Sequence, residues 1–468
     1  MQTCSRLTGL VEEFRRHYTE GIGESKMTEG RVAAGLADAL LAGPAGVDDF
    51  STRLAQALDR KPHWLRSLAK RVFKHFGPAL AYPQRRELID FIRRDPGFIK
   101  AWGEAVKPRI RRFLLPVPTM SPRPGALADC ALPELPTPAN LADWLGITLL
   151  ELDWFANLRS MIHSSDGSLS HYRCRWIPKY RGGYRLIESP KARLCAIQHK
   201  ILREILDRVP AHPAAHGFRR GRSCMSYAAP HVGRLVVLRM DLKNFFGSVP
   251  ARRVSALFQT LGYPDTTARY LTGLCTHRID PAQALKIPGV DPGLELPWLE
   301  RKKLGDPHLP QGAPSSPALA NLCALHLDIR LAALAARIDA NYTRYADDLA
   351  FSGNESMRRR VKPLSELIAA IALDEAFEVN FHKTRCMHRS DRQILTGIVV
   401  NEKMNAHRHD FDRLKAILHN CLRSGPESQN RDRHADFKAH LAGRVNYLQR
   451  LNPHRGARLQ AMLEKIVW

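Results

Sequence analysis

Acidic residues are scarce in this chain of 468 residues: 46 Asp and Glu stand against 71 Lys and Arg, a formal charge of +25. That balance is the electrostatic footprint of a polyanionic partner. Binding to such a partner should fall steeply with salt as counterions are released. Long apolar runs are also missing. No stretch approaches the length of a membrane-spanning helix, and the N-terminus lacks a signal-peptide pattern. A cytoplasmic protein with no membrane partner is therefore expected. The nine cysteines are odd in number, scattered, and include no Cys-x-x-Cys pair. This argues against a disulfide framework or a zinc site and for reduced thiols. The histidines, His407 and His409 included, lack partners at a trustworthy ligand spacing. No internal repeat is found.

What is present divides the chain into regions. Residues 9–106 read as helices, with apolar residues at helical spacing in Val32–Leu41, Phe50–Leu58 and Leu65–His75. We take 1–106 as a helical N-terminal extension. Prolines then fall at 108, 116, 118, 122, 124, 133, 136 and 138, which marks 107–138 as a semi-rigid extended linker. Its basic start, Lys107–Arg112, is either a solvated stretch or a contact to RNA. Asn140–Arg159 is helical again, with a break at Gly146-Ile147-Thr148 that suggests two short helices at a turn.

The most informative motif is Tyr345-Ala346-Asp347-Asp348. It lies between Asn341–Arg344 and Leu349–Ser352, which read as two short strands joined by a tight turn. Adjacent aspartates repel and add nothing to a hairpin. A divalent cation explains them, because Mg²⁺ prefers carboxylate and phosphate oxygens. Upstream, the apolar run from Leu235 ends in Asp241, Phe245 and Phe246. It suits a buried central strand that delivers Asp241 to a cleft. Three carboxylates on neighbouring strands can hold two Mg²⁺ ions about 4 Å apart, the arrangement of nucleotidyl transfer.

Across about residues 170–468 the chain resembles the reverse transcriptase family. Seven blocks occur in the family's order. Ile177-Pro178-Lys179, Gly182-Gly183-Tyr184-Arg185-Leu186-Ile187 and Ser189-Pro190-Lys191 make the first. His216-Gly217-Phe218-Arg219-Arg220-Gly221-Arg222-Ser223 is the second, and Asp241–Phe246 the third. Leu309-Pro310-Gln311-Gly312-Ala313-Pro314-Ser315-Ser316-Pro317 and the Tyr-Ala-Asp-Asp block follow. Asn380-Phe381-His382-Lys383-Thr384-Arg385 and Leu395-Thr396-Gly397-Ile398-Val399-Val400-Asn401 close the series. The resemblance implies an α+β right-hand polymerase: fingers, a palm with an antiparallel sheet, and a helical thumb, preceded by the helical extension. Residues 139–235 would be the lead-in and fingers, 236–405 the palm with an insertion near 276–308, and 406–468 the thumb. By itself the two-helix pattern at 140–159 also suits a helix-turn-helix DNA reader. Its place before the fingers favours a lead-in.

The resemblance also implies roles. Asp241, Asp347 and Asp348 would hold two Mg²⁺ ions. Lys179 and Arg185 would grip the triphosphate of a deoxynucleotide, a task suited to charge-assisted bonds. Phe246 would exclude a 2′-hydroxyl, and one of Phe245 and Phe246 should be core, since successive strand side chains point to opposite faces. Gln311 would reach the nucleotide, with Gly312 allowing close backbone approach. Ser316–Leu334 reads as one amphipathic helix beneath the palm. Lys383 would protonate the departing pyrophosphate. Arg219 and Arg222, with Arg444 and Arg455 among the thumb arginines, would meet the nucleic-acid backbone. The expected thumb helices are Phe411–Leu422, Phe437–Leu451 and Leu459–Trp468.

No endonuclease, protease or ribonuclease H block is recognisable. The chain is most similar to retron reverse transcriptases with extended N-termini, which copy part of a structured non-coding RNA. Priming from a guanosine 2′-hydroxyl leaves branched RNA-linked single-stranded DNA (msDNA). The expected partners are that RNA, its RNA–DNA product, deoxynucleoside triphosphates and a separate effector protein of an antiphage defence unit. Two departures stand out. The usual Asn-Ala-x-x-His is Tyr227-Ala228-Ala229-Pro230-His231 here, and Val-Thr-Gly is Leu395-Thr396-Gly397. Two other readings stay open: a non-retron defence or group II intron-like reverse transcriptase, and a catalytically silent RNA-binding scaffold.

Overall fold

The computed structural model describes residues 28–77, 85–114, 118–121, 125–158, 169–179, 184–279 and 298–468. Residues 9–27 of the expected helical extension, the Gly182-Gly183 turn and most of the expected insertion lie outside them. The chain divides into two compact units, residues 1–118 and 119–468.

The described part of the first unit is all helix: Glu29–Leu41, Val47–Leu58, Trp64–Phe76, Arg85–Arg93 and Pro96–Gly103. Local chemistry sets several ends. Thr28 caps the first helix, and Asp95 caps the last with Pro96 in its first turn. Their apolar stripes meet in a core that includes Leu36, Leu40, Leu54, Leu68 and Phe98. Within the Pro-rich stretch, Ile110 is buried in this core, and the amides of Arg111 and Arg112 both donate to the Ala57 carbonyl. The start of that stretch is therefore packed. Further on, Leu132 and Leu135 are buried in the core of the second unit.

The second unit opens with helices Pro138–Leu145 and Leu149–Ala156, joined through Gly146 at φ +73°. Thr148 and Glu151 form a reciprocal cap on the second of them. Strands β1 (Tyr172–Pro178) and β2 (Tyr184–Pro190) make an antiparallel hairpin. The central sheet contains β3 (Val236–Asp241), β4 (Asn341–Tyr345), β5 (Asp348–Gly353) and β6 (Arg385–His388), in the antiparallel order β4-β5-β3-β6. A small sheet follows, from β7 (Ile394–Leu395), β8 (Ile398–Val399) and β9 (Asn405–Ala406). Thr396 and Gly397 join β7 to β8 with φ of +45° and +84°. A two-residue turn with both φ positive matches the natural twist of a hairpin, which accounts for the Thr-Gly pair.

Two expected elements differ. Ser316–Leu334 is not one helix but two, Ser316–Cys323 and Leu325–Arg337, bent by 52° at Ala324. Apolar periodicity runs through the bend, so it is invisible in the pattern. The last of the expected thumb helices is Pro453–Leu463 rather than Leu459–Trp468. Asn452 caps it through the Arg455 amide and Pro453 occupies its first turn, so it starts earlier than its apolar residues suggest. The other thumb helices are Arg408–Ser424 and Phe437–Leu451, which share a core with it around Leu414, Leu418, Val445 and Leu459. A Cβ at Gly456 would collide with Gln449, so the last two helices cross at a glycine. No single helix among the described residues is long and apolar enough to cross a membrane.

The bend at Ala324 has a use. Arg344, fully buried on β4, bonds Asp328 through Nε at 2.8 Å and Nη2 at 2.6 Å. Its Nη1 reaches Asn321 Oδ1 at 2.8 Å and the Ala346 carbonyl at 3.1 Å. Tyr342 donates to the same Asp328 carboxylate at 2.8 Å. Asn321 and Asp328 sit on the two sides of the bend, and both reach one guanidinium. Removing one partner of a buried pair strands the other charge. Asp328→Ala should therefore cost about 3–5 kcal/mol, read as a lowered midpoint in denaturant unfolding of the full chain. A loss below about 1 kcal/mol, the value of an exposed pair, would refute this account.

Candidate active site

Strand register brings the carboxylates together. Asp241, the last residue of β3, pairs with Asp348, the first of β5. Asp347 lies in the adjoining turn, where its carbonyl accepts from the Leu242 amide at 2.9 Å. Ala346 holds φ at +55°, a left-handed conformation unusual for a residue with a side chain. Two contacts support it. Arg344 holds its carbonyl from below, and Gly217 packs so closely that a Cβ there would lie 2.6 Å from the Ala346 nitrogen. Gly217 is fixed in turn by a 2.8 Å bond from Asn321 Nδ2 to its carbonyl.

Each outer carboxylate has an intramolecular cation. Lys383 Nζ lies 2.8 and 3.0 Å from the two oxygens of Asp241. Arg239 grips Asp348 through Nε and Nη2 at 2.8 to 3.0 Å. Asp347 has no such ion pair among the described residues. Burial, then the charges of Asp241 and Asp348, push its carboxyl up to about 6. Asp348 is also raised by burial, although Arg239 pulls it down. The site thus carries unmet negative charge. Among the described residues no three such side chains are gathered as a ready-made metal site. The donor chemistry nevertheless fits a hard divalent cation: adjacent carboxylate oxygens that repel one another and borrow charge from Lys383 and Arg239.

Aromatic rings border the carboxylates. Phe245 is core, 4 % exposed and stacked on Phe377, whereas Phe246 is only half-buried. Phe218 lies 6.2 Å from Phe246 and 6.3 Å from Tyr345 between ring centres. It is exposed and has φ +58°. A bulky side chain in that conformation, beside the rings of Phe246 and Tyr345, is a strained feature of the kind that clusters at functional sites.

The remaining expected residues separate into groups. Lys179 and Arg185 are both exposed near the turn end of the β1–β2 hairpin. Gln311 is half-buried, and its carbonyl accepts from the Glu188 amide of β2 at 2.8 Å. Arg222 is exposed. Arg219 instead turns inward, donating to the carbonyls of His212 and Ala215 at 2.9 Å each. Arg444 is half-buried, and Arg455 lies over the Phe411 ring at 5.2 Å. Arg450 and Arg458 are exposed.

Sequence reasoning missed Arg239, Arg344, Asp328 and Phe218. Arg239 did leave a signal, a lone cation inside a buried apolar strand and two residues before Asp241, hence on the same face. Tyr227, at the unusual position of the Asn-Ala-x-x-His stretch, is fully buried and 5.7 Å from Tyr345 between ring centres. Its hydroxyl has no hydrogen-bond partner among the described residues. This side chain supports the turn and presents nothing to a ligand. His231 bridges Ser352 of β5 and Thr343 of β4 at 2.7 Å each, so it too is structural.

Residues 177–415 match the family model described as reverse transcriptase (RNA-dependent DNA polymerase). The chain belongs to the reverse transcriptase family. It is an RNA-directed DNA polymerase, and its substrates are accordingly an RNA template and nucleoside triphosphates. Retron Mx65 reverse transcriptase of Myxococcus xanthus is 38 % identical over 376 residues, 79 % of this chain and 82 % of that protein. Retron Mx162 reverse transcriptase of the same organism is 35 % identical over 72 % of this chain and 68 % of its own length. Retron Ec86 reverse transcriptase of Escherichia coli is 33 % identical over 62 % and 80 %. Polymerases of this family use divalent metal ions, in keeping with the donor set.

Lys383 offers the sharpest test of the site, since it both pairs with Asp241 and could deliver a proton. Lys383→Ala should slow single-nucleotide incorporation about 100-fold, the usual scale of acid–base assistance. Lys383→Arg should restore the ion pair but not the rate. Recovery by Arg to the wild-type rate would reduce Lys383 to a charge partner.

Proposed function

We propose that this reverse transcriptase copies part of a structured non-coding RNA into single-stranded DNA that stays joined to the RNA through a 2′–5′ branch. The observation that carries this reading is the extent of similarity to retron enzymes, which spans 82 % of one relative's length. The product, msDNA, would serve an antiphage defence unit with a separate effector.

Asp241, Asp347 and Asp348 would hold two Mg²⁺ ions, which when bound lower the pKa of an attacking hydroxyl and neutralise the leaving pyrophosphate. The other residues do their work by position. Lys179 and Arg185 meet the triphosphate with charge-assisted bonds. Gln311 reaches the nucleotide from a loop that runs along β2. Phe246 fills the space a ribose 2′-hydroxyl would need. Lys383 holds a proton beside Asp241, within reach of the departing group. Arg222 and the exposed thumb cations Arg450 and Arg458 fit contacts to backbone phosphates, which position a duplex without reading its sequence.

Nucleic acid that co-purifies with the full chain from its native locus tests the reading. A discrete single-stranded DNA, branched from RNA and absent in the Asp347→Ala and Asp348→Ala variants, is the expected result. Unbranched or heterogeneous DNA would move the enzyme to another bacterial class. Both variants should bind RNA with near wild-type affinity while losing primer extension. Retained extension by either would overturn the metal assignment. Phe246→Ala should admit ribonucleotides in primer extension, and unchanged sugar discrimination would remove Phe246 from that role.

A further inference from the structure

Glu188 stands on β2 with only 2 % of its surface exposed. Two histidines from distant parts of the chain close on its carboxylate. His277 Nδ1 lies 2.7 Å from Oε1, and His308 Nε2 lies 3.2 Å from Oε2. The second ring nitrogen of His308 faces the Asp306 carbonyl at 2.7 Å. Both neighbours of this ring are acceptors, so both nitrogens must donate. Only the imidazolium form carries two N–H groups. Glu188 and His308, the latter also 2 % exposed, therefore make a buried charge pair.

The pair sits where two parts of the candidate nucleotide site join. The backbones of His277 and His308 exchange N–H to carbonyl bonds of 2.9 Å in both directions. His308 leads directly into Leu309-Pro310-Gln311. Glu188 holds that segment twice, through its amide on the Gln311 carbonyl at 2.8 Å and through its carboxylate on His308. Gly312, at φ +130°, lets the loop run flush against β2, since a Cβ there would lie 3.1 Å from the Glu188 carbonyl. A buried ion pair is a poor source of stability compared with apolar packing. What it supplies is a defined geometry between two segments.

We infer that Glu188 and His308 are positioning residues that set the Gln311 loop against the fingers strand, so that nucleotide affinity falls when the pair is discharged. The inference rests on reading Gln311 as a nucleotide contact. Other groups also face the cluster. From β1, Tyr172 stacks on His277 with ring centres 4.1 Å apart, and Cys174 lies beside Glu188. Cys275 ends the helix before His277, His171 and Lys191 flank the two strands, and Asp306 precedes His308. Burial pushes Cys174 and Cys275 up to about 12 and raises Tyr172, so these stay neutral. Burial lowers His171, which favours its neutral form.

The sign of the pH effect follows. Burial lowers the His308 value, but the bond and charge of Glu188 raise it further, to a net value above the ordinary one. Its contribution is complete below about 6.5 and is lost as pH rises through the raised folded value. Burial raises Glu188, but bonds from His277 and His308 outweigh it and leave the carboxyl at about 2. Its contribution is present above the ordinary carboxylate range and is lost only as pH falls toward about 2. Near neutral pH the pair thus weakens on the alkaline side.

The test is the KM for one deoxynucleotide and the kcat on a primed RNA template, measured from about pH 6 to about pH 9. The full chain is compared with Glu188→Gln and Gln311→Ala. Titration of the triphosphate is common to all three and cancels in the comparison. Wild-type KM should rise with pH. Glu188→Gln should raise KM about tenfold at the acidic end, as expected for loss of a charge-assisted bond, with a flattened profile and little change in kcat. Gln311→Ala should raise KM yet keep the wild-type slope. If Glu188→Gln does not fold, His308→Gln, which can still donate to the Asp306 carbonyl, should show the same flattened profile. Wild-type KM and slope in the folded variant would overturn the inference. So would lower kcat and thermal stability with KM unchanged, the mark of a merely structural role. If Glu188→Gln moves KM and Gln311→Ala does not, the nucleotide contact of Gln311 falls while the positioning role stands.

Discussion

The buried ion pair between Arg344 and Asp328 is the constraint on which the Tyr345–Asp348 hairpin depends. Both side chains are fully buried, so neither charge has water to fall back on. Arg344 must find acceptors inside the protein, and the ones it finds specify the site. Asp328 and Asn321 lie on opposite sides of a helix bend, and the third acceptor is the carbonyl of Ala346. That last bond helps hold a left-handed residue between Tyr345 and Asp347. The backbone strain needed to display two adjacent aspartates is offset by a charge network one layer below.

The same logic recurs above the sheet with the opposite sign. Strand register sets Asp241 opposite Asp348 with Asp347 in the adjoining turn, and burial makes their mutual repulsion costly. Lys383 and Arg239 relieve Asp241 and Asp348, and Asp347 is left with its proton affinity raised. The result is a site whose carboxylates attract cations. Charge pairs also join the pieces around it: the Glu188 carboxylate links the β1–β2 hairpin to the segment that leads into Gln311, much as Arg344 links hairpin and helices.

Some of this was legible in the residues alone. The strand ending at Asp241 and the hairpin at Tyr345–Asp348 follow from period-two alternation and turn chemistry. One of the two phenylalanines is buried as expected, although both lie in the turn after β3 and not on the strand. The three aspartates could be expected near one another because Asp347 lies in a turn and Asp241 and Asp348 at strand ends. Other readings failed where a pattern underdetermines geometry. The helix from Ser316 keeps its apolar rhythm through a bend, and the helix from Pro453 begins with polar residues that carry no rhythm. For Arg219 and Arg455 the residues alone show a cation in a basic chain, whereas their intramolecular contacts, to backbone carbonyls and to an aromatic ring, appear only in the structure.

By itself the sequence determined the chemistry available: which carboxylates, which cations and which ring types, in an order that identifies an RNA-directed DNA polymerase. Those are properties of side chains and short-range spacing. Tertiary structure alone decided which cation meets which anion. Arg239 with Asp348, Lys383 with Asp241, Arg344 with Asp328, and Glu188 with His308 are pairs separated by 16 to 142 positions along the chain. Pairing over such separations depends on strand register, on a helix bend and on burial, which raises the cost of a wrong partner. Local pattern contains none of these.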